Sequence, residues 1–193
     1  MLDGMLDNIG VYQDKETYLL KCKEQVEKLA FLVNEILEAS KADRGQKTDQ
    51  LSEVFVDEMI RQVLGEYELQ INEKQLKLSV EADQVGYQTE AAALYRVMMN
   101  LIGNAVMYTP PAGTIRIELS EVQLVIENQC SHIPGEEMQK LFEPFYTRSS
   151  SRDKTVSGTG LGLYIVKRNL ERLSINYKAE NSEAGFKITL NFL

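Results

Sequence analysis

Between residues 17 and 39 the apolar side chains Leu19, Cys22, Val26, Leu29, Val33 and Ile36 recur at alternating steps of three and four. That period is the seam of a helix packed against another helix. Leu20, Phe31, Leu32 and Leu37 widen the stripe beyond a two-stranded seam, which suits a multi-helix bundle. An earlier apolar segment, 1–11, reads as the stump of a preceding antiparallel helix, although the pattern alone is equally that of any amphipathic hairpin. A polar run at 41–50 containing Gly45 reads as a linker. Beyond it the period changes repeatedly. Residues 54–56 predict a short strand, 57–69 a helix, and 76–80 a strand in which Leu76, Leu78 and Val80 alternate with polar residues. A long helix is expected at 90–107, stopped by Pro110 and Pro111. Strands at 114–119 and 122–127 form a hairpin around Ser120 and Glu121. After an irregular stretch come a helix at 161–173 and closing strands at 176–180 and 186–192. Helices and strands mix without regular βαβ alternation and without an internal repeat, so the expected class is α+β, with helices on one face of a mixed sheet.

The length, 193 residues, suits one main domain with a helical appendage. The longest apolar run, at 29–33, is too short to cross a bilayer, and the first residues lack the basic and apolar regions of a secretion signal. A formal net charge of -8 counts against a nucleic-acid partner, which needs a concentrated basic face. Cys22 and Cys130 are far apart and the sequence holds 1 histidine, so no metal-ligand spacing is present. Both thiols read as reduced and the compartment as cytosolic.

Three segments carry candidate chemistry. Asn100 and Asn104 lie one turn apart on the long helix and share a face inside an otherwise apolar segment. Buried amides need partners, and a nucleotide with its magnesium would supply them. Gly158, Thr159, Gly160, Leu161, Gly162 and Leu163 open the next helix, where glycines allow close backbone approach to phosphate and a helix N-terminus offers unpaired donors. Ahead of them Arg148, Arg152 and Lys154 make a basic loop suited to clasping phosphate. No Gly-Lys-Ser or Gly-Lys-Thr follows, which excludes a P-loop, and the motifs of eukaryotic-type kinases are absent. Taken singly, each segment is also compatible with solvated amides, a flexible turn or a solvated charged loop.

Together with Leu141-Phe142-Glu143-Pro144-Phe145-Tyr146, these segments resemble the N, F and G2 boxes of the histidine kinase, gyrase, heat-shock chaperone and MutL (GHKL) superfamily over nearly all of 51–193. The resemblance implies a two-layer α/β sandwich preceded by the remnant of a dimerisation hairpin, with ATP and Mg2+ as cofactors. It makes Asn104 the magnesium ligand, sets Asn100 and Tyr108 near the phosphates, and casts Asn100 and Asn104 as the catalytic pair. Phe142, Phe145 and Tyr146 would pack the hinge of a lid. Nucleotide contacts would come from Asn128, Ile133, Phe142, Arg148, Arg152, Lys154 and the glycine segment from Gly158 to Leu163. The G1 box departs from its pattern: Asn128 stands for the aspartate that receives the adenine amino group, and Cys130 and His132 replace both glycines. Met107 stands where many sensor kinases carry a lysine. An asparagine oxygen still accepts the hydrogen bond, less strongly than a carboxylate.

The chain looks most like the sensor kinases of the vancomycin-resistance type of Gram-positive bacteria. The resemblance implies residues 1–44 as dimerisation helices, 45–50 as linker and 51–193 as the ATP-binding domain. Expected partners are ATP, a response regulator and a second copy in the intact protein, with membrane attachment only through segments upstream. His132, ahead of Ile133 and Pro134, does not fit the phosphoacceptor, which is expected ahead of Met1. Two rivals remain: an anti-sigma-factor serine kinase, disfavoured by the helix at 17–39, and a degenerate module that dimerises or binds a regulator without turning over ATP.

Overall fold

The computed structural model describes residues 51–147 and 160–192; the expected helices before 45, the linker, and Arg148, Arg152, Lys154, Gly158 and Thr159 lie outside the described residues. In chain order the elements are β1 (Ser52–Phe55), α1 (Val56–Glu66), α2 (Glu68–Glu73), β2 (Lys77–Ala82), β3 (Gly86–Thr89), α3 (Ala91–Tyr108), β4 (Thr114–Leu119), β5 (Gln123–Gln129), α4 (Gly135–Lys140), α5 (Gly162–Leu173), β6 (Asn176–Asn181) and β7 (Gly185–Asn191). Five strands form a sheet in the order β2-β4-β5-β7-β6, while β1 and β3 pair separately. Only β2 and β4 run parallel; the other neighbours in the large sheet are antiparallel. This is the α+β sandwich expected from the sequence.

Strand periodicity explains the two faces of the sheet. Val80, Ile117, Ile126, Ile188 and Ala179 align across the five strands as one apolar row. The central members are almost wholly buried under the helices, each stabilising the fold by about 1.5–3 kcal/mol relative to exposure. The opposite face carries Arg116, Glu127, Lys187 and Glu180 in register, alternating in sign from strand to strand, so it remains solvated without like-charge opposition. The next inward row reads Leu78, Ile115, Asn128, Phe186, Asn181, and its two carboxamides interrupt an otherwise apolar surface.

Helix α3 forms because Leu94, Val97, Met98, Leu101, Ile102, Ala105 and Val106 recur at helical spacing and are all buried. It stops at Thr109, whose extended angles (φ -71°, ψ 129°) are those that a following proline imposes. Helix α5 buries Ile165, Val166, Asn169 and Leu170 and ends at Ser174 in the left-handed region. Glu90, just ahead of α3, forms a partly buried ion pair with Arg172 in the last turn of α5. Both charges complement the helix ends they occupy, so the pair ties together the two helices that carry the candidate site.

Several expectations need correction. The helix expected at 57–69 is divided at Tyr67 (φ -103°, ψ 6°), whose hydroxyl reaches across to donate to Met99 O at 3.1 Å. A Cβ on Gly103 would stand 2.4 Å from that hydroxyl, so the glycine admits the ring against α3. The strand expected at 76–80 spans Lys77–Ala82, and Leu78 and Val80 are 39% and 41% exposed because β2 is an edge strand. Strand β3 and helix α4 were not expected. Pro134 precedes α4, Glu136 and Glu137 occupy its first turn and Lys140 its last, a legible capping pattern inside a segment read as irregular.

Candidate functional site

Asn100, Asn104 and Tyr108 occupy successive turns of one face of α3. Asn100 donates through Nδ2 to Arg96 O at 2.9 Å, leaving its Oδ1 toward Gly162. A Cβ placed on Gly162 would lie 2.9 Å from Asn100 Oδ1 and 3.7 Å from Asn104 Nδ2, so the glycine at the start of α5 fits directly against both asparagines. Among the described residues the half-buried Asn104 amide makes no hydrogen bond. The fit of a phosphate-bearing, metal-chelated ligand rests on these two facts: a glycine cradle that a side chain would fill, and a carboxamide facing it without a protein partner. Tyr108 is 46% exposed, and partial burial raises its phenol pKa above the ordinary value.

Gly160 adopts φ +72°, and a Cβ there would approach the Phe145 carbonyl carbon to 2.6 Å and Tyr146 O to 2.8 Å. Only glycine accepts both the angle and the contact. The glycine turn is therefore seated on the backbone of the Phe145–Tyr146 segment. Phe142 rests on Tyr177 of β6 with ring centroids 5.0 Å apart, so its described contact is with the sheet rather than the asparagine face. Phe145, at φ +63°, is 63% exposed. Leu161 turns its side chain into the core and Leu163 is partly buried against it, which leaves mainly their backbone to meet a ligand.

The other end of the site lies where α3 stops. Asn128 is the last inward residue of β5 and is 5% exposed. Its Nδ2 donates to Thr109 Oγ1 at 3.3 Å and to Gln129 O at 3.4 Å. Thr109 Oγ1 in turn donates to Ala105 O at 2.6 Å. Ile133, beyond the altered glycine positions, is clamped from both sides: its N–H donates to Asn181 Oδ1 at 2.9 Å, and Asn181 Nδ2 donates to Ile133 O at 2.8 Å. Gly185 faces this segment so closely that a Cβ would stand 2.4 Å from Asn128 O and Cys130 N. His132 is exposed and Cys130 half-buried.

Lys74 fixes the junction. Its ammonium donates to Val106 O, Met107 O and Thr109 O at 2.8, 2.7 and 2.9 Å, capping α3 where the carbonyls lack helical partners. Burial lowers its pKa below the usual lysine value. Thr109, Asn181, Lys74 and Gly185 were not singled out in the sequence. The signal for Asn181 was present: it continues the inward alternation of Tyr177 and Ala179, one residue past the expected strand end.

Chemically, the amide donors of the first turn of α5 favour an anion, and a neutral carboxamide oxygen on α3 is a ligand for a hard cation. No group of three or more His, Cys, Asp or Glu residues able to hold a metal occurs among the described residues. Nor, among them, is any helix long and apolar enough to cross a membrane.

Comparisons with known proteins agree with this fold. Residues 89–193 match the family described as histidine kinase-, DNA gyrase B-, and HSP90-like ATPase. The sensor protein VanSB of Enterococcus faecalis is 28% identical over 96% of this chain and 42% of its own length. Sensor histidine protein kinase HK06 of Streptococcus pneumoniae is 31% identical over 98% of this chain and 43% of its own. This chain thus spans about two-fifths of the length of these relatives. The solved catalytic domain of histidine kinase ThkA superposes with a TM-score of 0.66 at 27% identity, covering 74% of this chain and 95% of that one.

Proposed function

Because the chain belongs to the family of histidine kinase-, DNA gyrase B-, and HSP90-like ATPases, we propose that it is the kinase core of a two-component sensor. In this reading it binds Mg-ATP and directs the γ-phosphoryl group to a histidine on a dimerisation helix, for relay to an aspartate of a response regulator. One observation carries the reading: Gly162 fits against Asn100 and Asn104, and Asn104 has no hydrogen-bond partner among the described residues. Bound Mg-ATP supplies the transferable phosphoryl group and a metal charge that offsets its negative oxygens. Asn104 Oδ1 holds the metal, the backbone of Gly160, Leu161 and Gly162 meets the phosphates, and Asn128 receives the base. Asn100 occupies the position at which hydrolysing relatives carry a glutamate. A carboxamide cannot take a proton from water, which favours transfer to a nucleophile over hydrolysis.

His132 is the single histidine and lies exposed in the loop after β5, so the acceptor imidazole belongs to another segment and this chain alone does not phosphorylate itself. The proposal keeps residues 1–44 as dimerisation helices, 45–50 as linker and 51–193 as the catalytic domain on the cytoplasmic side of a membrane-anchored dimer. The altered G1 segment motivates the rival of a module that no longer uses ATP. Against it, the Asn181 clamp holds Ile133 in place although Cys130 and His132 replace the glycines.

Incubation with Mg2+, radiolabelled ATP and a separate fragment bearing the acceptor helix tests the proposal. Label on that fragment's histidine is expected. Label only in free phosphate would make the chain an ATPase, and no calorimetric response at millimolar Mg-ATP would leave only the degenerate module.

A further inference from the structure

We propose that Thr109 is a positioning residue that sets base selectivity by locking the Asn128 carboxamide with its oxygen toward the base, so that adenine is taken and guanine refused. The inference rests on the reading of Asn128 as the base-recognition residue and goes beyond it. An asparagine, unlike the aspartate usual at this position, has two faces. With Oδ1 presented it accepts from the 6-amino group of adenine; turned over, it presents Nδ2 and donates to the 6-oxo group of guanine. Substitution of the carboxylate by an amide therefore leaves selectivity undecided unless something fixes the flip.

The hydrogen bonds around Thr109 fix it. Thr109 is fully buried, and its hydroxyl hydrogen is committed to Ala105 O at 2.6 Å. Toward Asn128 the hydroxyl oxygen can only accept, so the group 3.3 Å away must be Nδ2. The second Nδ2 hydrogen points at Gln129 O, 3.4 Å away. A flipped amide would set Oδ1 against a hydroxyl oxygen with no hydrogen to share and against a carbonyl oxygen, two repulsive contacts at a position 5% exposed. In the observed orientation Oδ1 has no donor among the described residues and remains the one unfilled valence of the side chain. Lys74 holds the same threonine from behind through Thr109 O, which keeps the hydroxyl in place as α3 ends.

The test is competition between Mg-ATP and Mg-GTP for the intact chain, read by calorimetry, with thermal unfolding as a check on folding. The wild type is expected to prefer ATP by about 10–100-fold, the scale of one buried hydrogen bond exchanged for an opposed pair of acceptors. Thr109→Val keeps the shape but removes the acceptor, leaving one weak contact to orient the amide, and should narrow the preference to within about threefold by gaining GTP binding. Thr109→Ser should retain the wild-type preference. Adding Asn128→Asp to Thr109→Val should restore it, because a carboxylate has no donor to turn toward guanine. A general packing defect would not be cured by that second change. A folded Thr109→Val protein with wild-type selectivity, or a wild type that binds both nucleotides equally, overturns the inference while leaving ATP binding intact. Failure of the wild type to bind either nucleotide overturns the functional reading, and this inference with it.

Discussion

The two ends of the candidate site are built on opposite plans. At the base end the polar groups are paired by the protein: Thr109 with Ala105 and Asn128, and Ile133 with Asn181 on both its N–H and its carbonyl. At the phosphate end Asn104 has no partner among the described residues, Tyr108 is half exposed, and Gly160 rests on the backbone of Phe145 and Tyr146. The contrast follows from burial. An amide N–H at 5% exposure that lacked a partner would destabilise the fold by about 1–3 kcal/mol, so the Asn128 donor is paired before ligand arrives and only its Oδ1 is left open to the base. A half-exposed amide is satisfied by water and stays available to a metal-chelated phosphate. One end selects by a preset shape, and the other is finished by what it binds.

That contrast can be broken from either side. Asn104→Ala should lower phosphotransfer to a separate acceptor fragment about a thousandfold. Nucleotide binding measured without magnesium should change less than threefold, and unfolding by less than about 0.5 kcal/mol; a comparable loss of metal-free binding would erase the distinction between the ends. Gly160→Ala should destabilise the fold by about 2–4 kcal/mol in urea unfolding, since the left-handed angle and the approach to the Phe145 backbone both resist a Cβ. Asn181→Ala leaves the Ile133 clamp unmade and should cost about 1–3 kcal/mol of stability. It should also weaken nucleotide binding about tenfold with little change in kcat, the mark of a residue that shapes the pocket without touching the reaction.

The smallest effect belongs to neither end. On the open face of the sheet, hydrogen bonds from Lys178 and Lys187 lower the Glu180 pKa from 4.5 to about 2. A carboxylate with a depressed folded pKa stabilises the fold fully above its unfolded value, and this contribution fades as pH falls toward about 2. Because the group is exposed, salt screens the contribution. Glu180→Gln should flatten the acid limb of stability between pH 4.5 and 2 and leave nucleotide binding at both ends unchanged.

How far the sequence could be read divides along the same line. Asn100 and Asn104 announced themselves because two amides one turn apart stand out in the apolar stripe of α3, and the glycines of 160 and 162 are punctuation that a helix start explains. The base end was partly hidden. Nothing in the sequence singles out Thr109 ahead of Pro110, and only the fold brings its hydroxyl to Asn128, 19 positions along the chain. Asn181 and Ile133 are 48 positions apart, and no local period links them. Strand 76–80 was legible as alternation, but alternation does not say whether a strand is central, and Leu78 and Val80 are left exposed at the edge. Tyr67 divides a helix for a reason that lies in α3, at Gly103.

The most direct test of the account follows the side-chain amide signals of asparagine in the labelled protein, titrated with a nonhydrolysable ATP analogue and then with Mn2+ in place of magnesium. The Asn128 signal should shift on addition of nucleotide alone, and the Asn104 signal should broaden beyond detection only when nucleotide and Mn2+ are both present. A sharp, unmoved Asn104 signal in the presence of both would contradict the assignment of the metal to that residue and, with it, the division of the site into a preset end and a ligand-completed one.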